Sequence, residues 1–425
     1  MFDSTFPTKA LADISVAIKD GSHGTHKRVS DGIPFLSAKN ITDRGQLQWD
    51  DLDDKISHED YSSLCSSFTP EQDDLLLTVV GTLGRRALFN GNRVAFQRSV
   101  AFVRPDRKQV EPRYLYHAAA SPKYIQQLIV RSNATAQAGL YLGELGKTFI
   151  PLPHLNEQAC IAAVLDTIDE TIARTEAVIA KLKQVRGGLL HDLLTCGLDE
   201  HGQLRDPVAY PGHFKDSPLG RIPKDWEVAS LARFVPTAEY GISSSLGSKG
   251  IPILRMNNFA GGEAKLDDLK YSSIYIPHTL MLKPGDVLFN RTNSWEHVGR
   301  TGIWRGQITK ASFASYLVRL NPRQDLLNPE LLNYWLNWTS TQIRMRRYAT
   351  PAVQQVNINP TNLRMMDAAF PSSLDEQSGM IAFIQGVDSA ILSAQAELMK
   401  LRNLNSGLND DLLAGRVSVP EGLFK

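Results

Sequence analysis

Cysteine is nearly absent from this sequence: Cys65, Cys160 and Cys196 are the only three in 425 residues. Odd in number and far apart, they exclude a disulfide framework and a cysteine-rich zinc site. Long apolar runs are missing as well. No stretch nears the ~18 uncharged residues of a spanning helix, and the opening MFDSTFPTKA lacks a basic start followed by an apolar run. The expected location is therefore cytoplasmic, with no membrane partner. Charge of one sign is not in excess, since 46 Lys and Arg face 45 Asp and Glu. Taken alone, that balance speaks against nucleic acid. A hydrophobic content of 42% belongs to a folded chain, and its length suggests several domains of ~150 residues.

Catalytic signatures are also lacking. GELGKT (143–148) approaches a phosphate loop, but the first glycine would have to stand where Tyr141 is. There is no G-x-G-x-x-G and no Asn- or Asp-Pro-Pro-Tyr segment. Pro105-Asp106 is not followed by E-x-K at a nuclease spacing. His23 and His26 lie three apart in a glycine-rich loop, where polar loop residues are commoner than metal ligands. No catalytic and no metal-binding residue is expected.

A duplication is what the sequence does contain. Residues 157–195 align without a gap on 376–414, giving 13 identities in 39 positions, against two or three by rough chance. Glu157/Glu376, Gln158/Gln377, Asp169/Asp388 and Gly188/Gly407 are among them. The first copy has an apolar seam through Ile161, Leu165, Ile168, Ile172, Thr175, Ile179, Leu182, Arg186, Leu189 and Leu193. The second runs through Met380, Ile384, Val387, Ile391, Ala394, Leu398, Leu401, Asn405, Leu408 and Leu412. Alternating steps of four and three residues fit a coiled coil. Each helix would be about 58 Å long at a rise of ~1.5 Å per residue, with Asn156 and Asp375 as N-caps. Each needs a partner for its stripe, and the other copy is the nearest of equal size. Gly187, Gly188 and Gly407 inside the helices suggest close backbone approach, a kink or a tolerated defect.

The segments before each helix correspond more loosely. DGIPFLSAKNI (31–41) pairs with KGIPILRMNNF (249–259), DDLLLTVVGTLGR (73–85) with GDVLFNRTNSWEHVGR (285–300), and QRSVAFVRP (97–105) with ASYLVRLNP (314–322). These read as strands, followed by helical stretches at 112–131 and 329–347. Residues 197–226 read as a linker. The fold class is α/β: two mixed α/β domains separated by two long helices that form an antiparallel coiled coil, with a pseudo-two-fold internal repeat. The expected bounds are 1–150 for the first domain, 151–198 for the first helix and 199–220 for the linker. The second domain takes 221–370, the second helix 371–416 and a tail 417–425.

Charge is segregated along the chain even though the total balances. Residues 43–74 carry a net −8, 85–131 a net +8 and 291–347 a net +6. Arginine dominates the basic stretches, and its planar fork suits phosphate and the guanine edge, while Asn and Gln suit adenine. Candidate DNA contacts are Lys27, Arg28, Arg85, Arg86, Arg98 and Gln137 in the first domain. In the second they are Arg255, Asn257, Asn258, Arg291, Asn293, Arg300 and Gln354. Arg85, Arg86 and Arg300 each adjoin a glycine-containing turn after a predicted strand, where a loop can reach a groove.

These residues together resemble the specificity subunit of type I restriction–modification systems. The match is most specific over IPLPHLNEQACIAAVLDTIDETIARTEAVIAKLKQVRGGLLHDLLTCGLDEHGQLR. DSPLGRIPKDWEV, GTHKR, GIPFLSAKNI and DLLLTVVGTLGR resemble parts of that family's target-recognition domains. The resemblance implies a non-catalytic DNA-binding subunit. Each domain would bind half of a bipartite double-stranded site, and the helices would set the spacer. DNA methyltransferase (modification) subunits would dock on the helices, joined by a motor-nuclease restriction subunit. S-adenosylmethionine, ATP and Mg would belong to those partners, with no cofactor bound by this chain. Two alternatives remain open on the residues alone: a single-chain DNA-modifying enzyme with an unrecognised active site, and a coiled-coil scaffold that binds no DNA.

Overall fold

The computed structural model describes residues 5–132, 139–352 and 355–419. The candidates Gln137 and Gln354 lie outside the described residues. The chain divides into two units, residues 1–177 with 395–425 and residues 178–394. Each unit owns one mixed α/β body and half of each long helix, Leu155–Cys196 and Leu374–Ala414.

In the first unit an antiparallel sheet orders the strands Ser15–Asp20, Val100–Pro105, Leu75–Thr78 and Arg86–Leu88. Leu75, Leu77, Ala101 and Val103 face one apolar cluster, and Leu76, Val100 and Phe102 face another. Side chains alternate across a strand, so burial on both faces requires an unbroken apolar run such as LLL or VAFV. A smaller sheet joins Lys55–Ile56, Ile33–Leu36 and Ala95–Phe96.

The second unit has the same order of pairing: Thr237–Tyr240, Leu317–Asn321, Val287–Asn290 and Thr301–Ile303, extended by Glu263–Ala264 and Phe259–Ala260. Its smaller sheet joins Lys270–Ser272, Ile251–Leu254 and Ser312–Phe313. Val287 and Phe289 point to one cluster and Leu288 to another. The long helices enter these cores. Ile161, Leu165, Leu412 and Leu413 pack in the first unit; Leu190, Leu193, Leu194, Met380, Ile381 and Ile384 pack in the second.

Two fully buried glutamines show why the repeat keeps its identities. Gln158 donates to the carbonyls of Gln109 and Pro153 at 3.0 and 2.8 Å and accepts from the amide of Glu111 at 2.9 Å. Gln377 does the same with Leu326, Pro371 and the amide of Asn328 at 2.8, 2.9 and 2.8 Å. Each satisfies backbone groups of two loops that would otherwise be buried without partners.

All seam positions of both helices are buried or half-buried. Between residues 385 and 407, only Val387, Asp388, Ile391, Ala394, Leu398, Leu401 and Asn405 are not exposed. Polar contacts also join the helices within each unit. Asn405 donates to Asp169 at 2.8 Å and Arg402 to Glu176 at 2.6 Å in the first, and Arg186 pairs with Asp388 in the second.

Several local expectations are corrected. The helices start at Leu155 and Leu374, so Asn156 and Asp375 sit in the first turn rather than at the caps. Ser373 Oγ accepts from the Glu376 amide at 3.3 Å and supplies the second cap. Both helices stop at left-handed glycines, Gly197 (φ 62°) and Gly415 (φ 68°), where only glycine turns the chain without strain. Gly187, Gly188 and Gly407 make no close approach, because a Cβ added at any of them meets nothing within 4 Å. The stretch 112–131 breaks into Pro112–Ala118 and Pro122–Arg131, as Pro122 forces Ser121 into extended backbone. The stretch 329–347 likewise splits at Trp338 into Pro329–Asn337 and Thr339–Met345. The connector is not all loop: Phe214–Ser217 and Gly220–Pro223 form a hairpin, and Arg205 pairs with the buried Glu376 at 2.6 Å.

Candidate nucleic-acid interface

Each body presents a loop stitched to a neighbouring turn by its backbone. In the first unit, strand Ser15–Asp20 runs into Gly21, where a side chain would collide with the Phe96 and Gln97 carbonyl oxygens. The missing Cβ allows the Ser22 amide to donate to Phe96 at 2.8 Å and the Arg98 amide to Ser22 at 3.0 Å. Residues 22–28 are thereby held beside Gln97 and Arg98. In the second unit Gly241 lies as tightly against the Phe313 and Ala314 carbonyls. There the Ile242 amide donates to Phe313 and the Ser315 amide to Ile242, both at 2.9 Å. The sequence reading missed this pair of glycines. Their signal was a lone glycine directly after a strand, without an alignable neighbourhood.

The candidate residues divide into those with free heads and those already engaged. Lys27, Arg98, Asn257 and Arg300 are exposed. Arg28 is half engaged: its guanidinium pairs with Asp54 at 2.9 Å and lies 4.7 Å from the centre of the Phe35 ring. Arg85 pairs with Asp43 at 2.5 Å. Arg86 stacks over Tyr116 at 4.5 Å and donates to its carbonyl at 2.9 Å, and burial lowers its pKa. Arg86 is thus a packing residue although it adjoins a turn. Arg255 donates to Asp268 Oδ2 at 2.9 Å. Asn258 is buried and closes its own turn, accepting from the Arg255 amide at 2.9 Å and donating to the Asp267 carbonyl at 2.7 Å. Asn40 holds the same turn in the first unit, accepting from the Ser37 amide and donating to the Gln48 carbonyl.

Asn293 lies in the short strand Thr292–Asn293 and accepts from the Ser294 amide at 2.8 Å. Arg291 stacks 5.1 Å from the Tyr240 ring. Near it, Arg300 and Arg346 line a cleft of about 420 Å³ with Arg186, Asn337 and Gln342. Arg346 lies 5.8 Å from the Trp295 ring, and its Nε is buried without a hydrogen-bond partner among the described residues. The sequence candidates did not include Arg346, although its place in RMRRY marks it as basic.

Folding redistributes the segregated charge. The acidic stretch 43–74 lies against the basic one after it. Arg104 binds Glu71 at 2.9 Å and the buried Asp74 at 3.0 Å, and Arg107 binds Asp73 at 3.0 Å. The Asp74 hydrogen bond raises the pKa of Arg104. In the second unit Arg319 binds Glu239 and Asp286, and Arg305 binds Glu263 and Glu330. Much of the arginine excess is therefore structural. Among the described residues no group of three or more His, Cys, Asp or Glu is placed to hold a metal ion. No described helix is long and apolar enough to cross a membrane.

Two mixed α/β bodies joined through two long helices define the fold of type I restriction–modification S subunits. The S subunit of the M. genitalium system is such a structure: its TM-score is 0.56 at 14% identity, with 96% of each chain covered. Residues 6–184 match the family described as Type I restriction modification DNA specificity domain. The type I restriction enzyme MjaX specificity subunit of Methanocaldococcus jannaschii is 26% identical over 204 residues, 46% of this chain and 47% of that one. The EcoBI specificity subunit of Escherichia coli is 25% identical over 314 residues, covering 70% and 64%. The matches thus span about half to just under two thirds of these relatives' lengths. In sequence and in fold the chain is thus similar to the specificity subunits of type I restriction–modification systems.

Proposed function

We propose that this chain is the non-catalytic DNA-reading subunit of a type I restriction–modification complex. Each unit reads one half of a bipartite double-stranded site. The observation that carries this is one scaffold built twice with different tips. Gly21 and Gly241 hold loops at the same place on the same strand order, yet the loops read SHGTHKR and ISSSLGSKG. A conserved platform with exchanged tips is suited to two different base sequences.

The long helices are the spacer, paired as an antiparallel coiled coil within an internal repeat. The direction is supported within the first unit: from Asp169 to Glu176 on one helix, the partner recedes from Asn405 to Arg402 on the other. Methyltransferase (modification) subunits would dock on the helices and supply S-adenosylmethionine chemistry, and the motor-nuclease subunit would supply ATP- and Mg-dependent work, in the cytoplasm. This chain contributes phosphate contacts through Lys27, Arg98, Arg291 and Arg300, with base reading by the adjoining loops.

Footprinting of the chain with its methylation subunits tests the reading. Two protected patches separated by an unread gap are expected. One contiguous patch, or none, would overturn it.

A further inference from the structure

In the loop DGSHGTHKR, His26 is held between Ser22 and Asp60 by polar contacts that DNA contact alone does not explain. His26 Nδ1 lies 3.2 Å from Asp60 Oδ1, and its Nε2 lies 2.6 Å from Ser22 Oγ. The ring thus bridges the two, hydrogen-bonded to the Ser22 hydroxyl and facing the Asp60 carboxylate. Ser22 Oγ in turn accepts from the Gly24 amide at 3.1 Å. At the other end, Ser57 Oγ donates to Asp60 Oδ2 at 3.1 Å and accepts from the Asp60 amide at 3.0 Å. The His26 side chain is only 14% exposed, and its ring stands edge-on to Phe35 at 5.4 Å.

A serine, a histidine and an aspartate in this order have the sequence of groups of a nucleophile relay. A nucleophile also needs free amides for the oxyanion. Here the Ser22 amide is spent on Phe96 and the Gly24 amide on Ser22 itself. The relay therefore holds a loop. Between its fixed points stand Thr25 and Lys27, both exposed and without a partner among the described residues.

We propose that His26 is the positioning residue of the DNA-reading loop in the first unit, fixing Thr25 and Lys27 toward one half-site. This rests on the DNA reading above. Preorganisation matters because a loop already ordered loses less entropy on binding. The second unit has no histidine in the corresponding loop, where Ser244 and Ser272 stand 3.4 Å apart instead. The effect should be confined to one half of the site.

The test selects bound duplexes from a randomised pool with the full-length chain and its His26→Phe and Ser22→Ala variants. His26→Phe keeps an aromatic edge on Phe35 and removes the contacts to Ser22 and Asp60. Ser22→Ala leaves the histidine ring in place and guards against a folding defect. Wild type should yield two motifs. Both variants should keep one motif unchanged and bind duplexes carrying the other about tenfold more weakly, with melting transitions like wild type. Two intact motifs in both variants would overturn the proposal. So would a motif lost in His26→Phe only together with its melting transition while Ser22→Ala selects the wild-type pair. A wild-type pool without any motif would instead bring down the DNA reading itself, and this inference with it.

Discussion

Arg186 on the first long helix grips Asp388 on the second with two nitrogens, Nη2 lying 3.1 Å from Oδ2. Asp388 is the repeat counterpart of Asp169, and Arg186 that of Asn405. In the first unit Asn405 donates to Asp169 at 2.8 Å. One polar position of the seam is thus satisfied by an arginine in one unit and by an amide in the other.

Asp388→Ala should destabilise the protein by about 1–2 kcal/mol, since it leaves a half-buried guanidinium unpaired. Arg186→Asn should cost less than about 1 kcal/mol, because an amide can donate as Asn405 does. Urea unfolding of the two single variants and the double variant measures the coupling. Equal losses in both singles would count against the pairing.

Gln158→Ala and Gln377→Ala should each cost about 2–3 kcal/mol, because three buried backbone groups lose their partner at once. Glu at either position should also destabilise, placing a carboxylate against two carbonyl oxygens. Denaturant midpoints report both; a shift below the scatter of exposed-site controls would refute the role.

Gly188→Ala and Gly407→Ala should each stabilise by about 0.5–1 kcal/mol. Both glycines are exposed in helix with open space around the missing Cβ, and alanine restricts the unfolded chain. A raised melting temperature is expected. A lowered one would reveal a neighbour at that surface.

Asp166 predicts acid sensitivity. Burial opposes its charge, but hydrogen bonds from His117 (2.7 Å) and Arg113 (2.9 Å) outweigh that and hold its pKa at about 2. A carboxylate depressed in the folded state stabilises above its unfolded value of 3.8 and loses that stabilisation as pH falls toward 2. Unfolding free energy should therefore decline through this window. The part lost should be smaller in Asp166→Asn; an unaltered acid profile in that variant would exclude the assignment.

Phosphate contacts are separable from packing arginines by salt. Lys27→Ala and Arg98→Ala should each reduce the slope of log affinity against log salt by about 1. Arg104→Ala should lower stability, because Asp74 loses its partner, and leave the slope unchanged. Titration of labelled duplex at several salt concentrations checks all three.

The seam of each long helix, the strands at 75–78, 100–105, 287–290 and 317–321, and the likeness to type I specificity subunits were legible from sequence. Each rests on a local period or a repeat: heptad steps, doubly buried apolar runs, and identities such as Gln158/Gln377. Of the candidate contacts, Lys27, Arg98 and Arg300 present free heads, whereas Arg86 and Asn258 turn inward to a tyrosine ring and a turn.

Sequence by itself determined the periodic elements and their duplication, because periodicity and identity are properties of neighbouring positions. Tertiary structure alone decided which charges stay free. Ion pairs such as Arg104–Asp74 and Arg85–Asp43 join residues 30 and 42 positions apart, and no count along the chain predicts which acid will fold against which base.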